Sequence, residues 1–339
     1  QLEDPSPQGH VHRRAVASAA LEEHQGFNLA VIEIDDQGEL WSRQAAEQVL
    51  SELRSVYDHR PGGVNVFVFL HGWKHNASVC DENLACYREL LAYLAEREER
   101  TQRGRPVWGI YLSWRGKSLS APLLKEFSFW SRKATAERVG RNGVTEVLAK
   151  LDSLHRNSLE GKSASTSRSR LTIIGHSFGA SMAFSAYGGV LKERLTAFLS
   201  GGSNKATQFR GCGSLLVLAN PAFEASVYQG LHHLAGEATQ WPVDQPLVVL
   251  TAGSEGDSAT RVAFPIGRAF ASLFQRTRDS EQKRRLRTTV PNYGSFVTHR
   301  LVPTEMETIR TNRRKNEACS CPERLRSVLA PRTFGQAPP

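Results

Sequence analysis

The sequence predicts an α/β fold, a mostly parallel central sheet with helices on both faces. Short β-branched, apolar runs alternate with segments of helical periodicity. Gly, Pro and Asp clusters separate them. The chain has 339 residues, 40% of them hydrophobic, which is enough for one large core.

Residues 1–25 are polar and read as an N-terminal tail. Phe27–Ile34 is the first expected strand, closed by the turn Asp35-Asp36-Gln37-Gly38. Ser42–Val56 has helical spacing of Ala45, Val49, Leu50 and Leu53. Val64–Leu70 is the clearest central strand and runs into His71-Gly72-Trp73. A helix is expected over about Asp81–Arg100, and a strand over Val107–Leu112. Residues 117–142 are irregular or helical and dense in apolar groups, a candidate lid, and Val144–His155 is a further helix. Leu171–Ile174 is the strand before Ser177, and Gly179–Leu199 the helix after it. Ser214–Ala219 and Pro246–Thr251 are strands, and Arg287–Val290 is a short last one. Residues 258–295 form a basic insertion between acid and base candidates, and 328–339 a C-terminal tail. The main domain is thus 26–327.

Net charge is +9, and Arg261–Ser327 carries all of the excess. A basic surface of this kind allows peripheral contact with anionic surfaces; no nucleic acid is expected as a partner. No apolar run reaches the roughly 18 residues of a membrane-spanning helix. A soluble protein is expected, cytoplasmic or exported with a leader removed. Five cysteines do not form a disulfide framework, although Cys80 and Cys86 can pair if a loop separates them. No metal site and no cofactor are expected.

The chemistry is carried by Gly175-His176-Ser177-Phe178-Gly179. Chance supplies Gly-x-Ser-x-Gly in roughly one chain in ten of this length, so its context matters. A β-branched strand enters the motif and a helix rich in small residues leaves it. That is the arrangement of a nucleophile elbow, in which bulkier residues at 175 and 179 would strike neighbouring backbone. Ser177 is the nucleophile, and the helix N-terminus favours negative charge beside it. His176 points away from the hydroxyl and is a packing residue. Acyl transfer also needs two amides for the oxyanion. Phe178 supplies one and Trp73, in the loop after the central strand, the other. His71 braces that loop.

The strand–His71-Gly72-Trp73 loop and the strand–Gly175-His176-Ser177-Phe178-Gly179–helix unit together resemble the α/β-hydrolase superfamily over about residues 27–300. The resemblance implies an eight-stranded, mostly parallel sheet and a triad in the order Ser, acid, His. On that order His299 is the base, the one histidine after the strand Pro246–Thr251. His232 and His233 would break the order. Asp257 is the acid, past that strand's C-terminal end, with Glu255 and Glu224 as alternatives; Asp244 sits at the wrong end. Trp114, Leu123, Phe127 and Trp130 are expected to line the substrate pocket. The expected activity is a serine esterase or lipase, a carboxylester hydrolase acting on a small-molecule or lipid-like ester. The alternative is a catalytically weak hydrolase fold that binds anionic surfaces through its basic C-terminal third.

Overall fold

The structure, a computed structural model, describes residues 14–16, 19–60, 62–73, 75–101, 104–114, 125–159, 169–201, 208–238, 241–254, 256–257, 264–265, 276–303 and 334–336. Its centre is an eight-stranded sheet in the spatial order β1 (Arg14–Val16), β2 (Ala19–His24), β3 (Phe27–Ile34), β5 (Val107–Trp114), β4 (Asn65–Leu70), β6 (Arg170–His176), β7 (Leu215–Ala219), β8 (Val249–Ala252). From β3 to β8 every pairing is parallel; β1 and β2 add antiparallel at one edge.

Alternation along the strands sends side chains to both faces. On one face Leu29, Val31, Val107 and Tyr111 pack with Leu84, Tyr87 and Leu91 of α2 (Glu82–Arg100). On the other, Ile32, Val66, Val68, Ile110 and Ile173 pack under α1 (Arg43–His59), α4 (Thr145–Leu159) and α5 (Phe178–Ser200). The helix start at α1 follows from Ser42, whose hydroxyl accepts the Ala45 N–H. No helix among the described residues is long and apolar enough to cross a membrane.

Four expectations change. The N-terminal stretch contains β1 and β2 rather than reading as a tail throughout. Its strand pattern was hidden because an inward-facing position holds a charge. Glu22 is 1% exposed and meets Arg88 of α2 through two bonds, at 2.8 and 2.7 Å. Burial alone would raise the Glu22 pKa, but Arg88 and His24 hold it down at about 2. Removing the charge strands Arg88, so Glu22→Gln should cost about 3 kcal/mol in urea unfolding at neutral pH.

The expected strand Arg287–Val290 is instead the end of helix α7 (Ser280–Arg287) and a following 3-10 turn. The overlooked signal is Asp279, whose carboxylate accepts the Gln282 N–H and starts the helix. Within the stretch 117–142, α3 (Lys125–Val139) buries Ala136 and Val139 in the main core, so its C-terminal half is a packing element. A π-turn at Gly140–Val144 joins it to α4. In the C-terminal tail, β10 (Phe334–Gln336) pairs with β9 (Leu301–Pro303).

Cys80 and Cys86 are joined in a disulfide. Cys80 precedes Asp81, the residue that caps α2, so the two cysteines do not share one continuous helix. Cys212 is free and buried; Cys319 and Cys321 lie outside the described residues.

Candidate active site

Strands β4, β6, β7 and β8 are neighbours in parallel. Their C-terminal ends therefore bring together the loop after Leu70, Ser177, the turn at Asn220 and the turn carrying Asp257. This gathering at one sheet edge is where open parallel sheets build their sites.

Ser177 sits between β6 and α5 with φ 55° and ψ −115°. A non-glycine residue in this region is strained by about 1–3 kcal/mol and persists where its surroundings hold it. The hold is visible: the Ser177 N–H donates to the Ala219 carbonyl at 2.9 Å, and its own carbonyl accepts from Ala180, Ser181 and Ala222. The two glycines leave room for the sharp turn. A Cβ on Gly175 would lie 2.5 Å from the Ala180 Cα, and one on Gly179 1.9 Å from the Leu70 carbonyl oxygen. Phe178 is the first residue of α5 and its ring is fully buried.

The loop after β4 lies directly against Ser177. A Cβ on Gly72 would come 3.0 Å from the Ser177 Cβ and 3.2 Å from the His176 Nδ1. Trp73 packs against the main core. His71 anchors the loop from below. Its Nδ1 lies 2.8 Å from the Gly72 carbonyl and so carries the proton; its Nε2 accepts the Trp114 N–H at 3.2 Å, with the Ser113 hydroxyl also 3.2 Å away. The Trp114 indole N–H returns to the His71 carbonyl at 3.1 Å. Burial drops the His71 pKa to about 4 and keeps the ring neutral. His71 is thus a brace, as its position in the sequence suggests.

This brace makes the fold acid-sensitive. His155, buried beside Ser214, is likewise pushed by burial to about 4. Above pH 6.5 both rings are neutral folded or unfolded. Between pH 6.5 and 4 the unfolded chain takes up protons that the folded chain refuses, so stability falls. The loss should approach about 3 kcal/mol per histidine, read as a declining urea midpoint over that range.

Asp257 lies in the turn after β8, where its N–H donates to the Ser254 carbonyl at 3.1 Å. Asn220, itself at φ 43°, ties this turn to the one after β7 by accepting the Ser254 N–H at 2.8 Å. Burial lowers the His176 pKa; the His75 charge lowers it further, and the Asp257 charge opposes both.

His299 is exposed. Its Nδ1 meets the Thr298 hydroxyl at 3.0 Å, and no hydrogen bond joins it to Ser177 or Asp257. Glu224 is buried at the start of α6 (Ala225–Glu237), 3.2 Å from the Lys133 ammonium, and its backbone bridges to Thr289. It binds α3, α6 and the segment after α7 together. Glu255 lies outside the described residues. On α6, His233 pairs with Glu237, and His232 lies tilted against Phe296, 4.4 Å between ring centroids.

Of the expected pocket residues, Trp114 is 2% exposed and lies beneath the loop, edge-on to Phe178. It supports the site from inside rather than rimming it. Leu123 lies outside the described residues, as do the side chains of Phe127 and Trp130 on α3.

One feature of the site escaped sequence reasoning. The Asp81 carboxylate is 3.2 Å from His75 Nδ1 through each of its oxygens and also accepts the Asn76 N–H. The available signal was an Asp at the helix start, six residues after a histidine in the His71-Gly72-Trp73 loop. Comparison with protein-family models, with curated proteins and with solved structures found no match.

Proposed function

We propose that this chain is a serine carboxylester hydrolase with an α/β-hydrolase fold. One observation carries the reading: Ser177 is held at positive φ between strand and helix, with the Gly72 loop pressed against its Cβ. An ordinary surface serine has no need of such a strained position, whereas a nucleophile gains exposure and an oxyanion loop from it.

In this mechanism Ser177 Oγ attacks the ester carbonyl carbon as His299 takes its proton. The Trp73 and Phe178 amides hold the oxyanion. His299 then protonates the departing alcohol, leaving an acyl-Ser177. Water, deprotonated by His299, attacks that ester and frees the acid. Asp257 orients the histidine and stabilises its cation. His299 must leave Thr298 and turn toward Ser177 for this, so the reading requires a shift of the segment around it.

Binding of anionic surfaces is the weaker reading. Lys283, Arg284, Arg285 and Arg287 do gather on α7, but Glu281 bridges Arg284 at 2.9 Å, and Arg284 also stacks over Tyr293.

The test is a series of p-nitrophenyl esters of increasing acyl length, turned over by wild type and by His299→Ala. Wild type should hydrolyse them with a preferred length. His299→Ala should lose about 10⁴-fold or more in kcat. Unchanged turnover in that variant would remove His299 from the mechanism.

A further inference from the structure

We infer that Asp81 is the positioning residue of the oxyanion loop, holding His75 and Asn76 so that the Trp73 amide keeps its place beside Ser177; the inference rests on the hydrolase reading. The loop is fixed at its near end, where Gly72 meets Ser177 and His71 is bonded to Trp114. Its far end converges on one carboxylate. Oδ1 of Asp81 accepts the Asn83 N–H at 2.9 Å and the Leu84 N–H at 3.4 Å, which caps α2. Oδ2 accepts the Asn76 N–H at 3.2 Å, and His75 Nδ1 lies 3.2 Å from both oxygens. Four donors on one carboxylate match its acceptor capacity.

The backbone beneath Asp81 is itself tied to α2. The Cys80–Cys86 disulfide flanks it, and Arg88 donates to the Val79 carbonyl at 2.9 Å while gripping Glu22 of β2. The Asp81 side chain is 10% exposed, so water competes little for it. Asp81 thus converts a rigid helix start into a fixed position for His75 and Asn76, two and three residues from the Trp73 amide. A donor displaced by about 1 Å from the oxyanion costs on the order of 10²-fold in rate.

Capping and positioning can be separated by Asp81→Ser. Serine caps a helix N-terminus as well as aspartate does, but its short side chain has one oxygen and cannot also hold His75 and Asn76. The variant should melt within a few degrees of wild type. Its kcat on p-nitrophenyl esters should fall by about 10²-fold with KM changed less than threefold, because a donor to the oxyanion acts in the transition state. Amide hydrogen exchange should quicken over residues 72–79 and stay unchanged in α2. Wild-type kcat together with wild-type exchange in that loop would overturn the inference. If wild-type protein itself turns over no ester, the hydrolase reading fails, and the exchange experiment alone decides whether Asp81 sets the loop. Asp81→Asn, which keeps the shape but turns an acceptor into a donor facing Asn76, should repeat the exchange result.

Discussion

Gly179→Ala should leave the chain unable to reach its native state, or reduce its stability by at least about 3 kcal/mol. The added methyl would stand 1.9 Å from the Leu70 carbonyl oxygen and 2.9 Å from that of His71. Both are backbone atoms, so no rotamer change relieves the clash. Overpacking of ordinary side chains costs about 1–3 kcal/mol, and a rigid strand end yields less than those do. The strand in question is β4, whose exit holds the Gly72 loop, so the damage should spread into the site. The expected result is loss of a cooperative melt, or a sharply lowered urea midpoint. Gly189→Ala in the same helix is the control, since a Cβ there meets nothing within 4 Å; it should be neutral or stabilising by up to about 1 kcal/mol.

Ser177→Gly should do two opposite things. Turnover should fall by about 10⁴- to 10⁶-fold, because the nucleophile is gone and the residual rate comes from the remaining site. Stability should rise by about 1 kcal/mol, because φ 55° and ψ −115° carry a steric cost that glycine does not bear. Ser177→Ala should lose activity equally with no such gain, since alanine keeps the Cβ and its strain. A nucleophile held in strain predicts this divergence between two inactive variants. A serine with no catalytic duty predicts neither loss of turnover.

Much of the fold was legible in the sequence because its inner strands obey simple patterning. Phe27–Ile34 shows its strand as an apolar run, and the structure has the same bounds. Strands buried on both faces read this way. The edge did not. β2 carries Glu22 and Glu23, and its buried Glu22 is paired with Arg88, sixty-six residues away, which no local pattern reveals. The start of α7 was missed for a different reason: its basic, solvent-facing composition leaves a cap residue, Asp279, as the main helix signal.

The sharp turn at Ser177 was legible because steric need fixes Gly175 and Gly179 at set spacings. The bracing role of His71 followed from its place in a loop that must be rigid. Trp114 was misjudged: a strand-end tryptophan can rim a site or support it from beneath, and the choice depends on the His71 carbonyl that its indole N–H finds. Asp257 could be placed by strand order. The Asp81–His75 contact could not, because it depends on how the loop folds back onto the start of α2.

Ser177 as an activated nucleophile can be checked by treating the folded protein with a fluorophosphonate probe and locating the adduct by mass spectrometry. Attachment should be rapid and at Ser177 alone, and absent from Ser177→Ala and from heat-denatured protein. Well-folded protein that takes up no label, or takes it up elsewhere than Ser177, would rule out a nucleophilic Ser177.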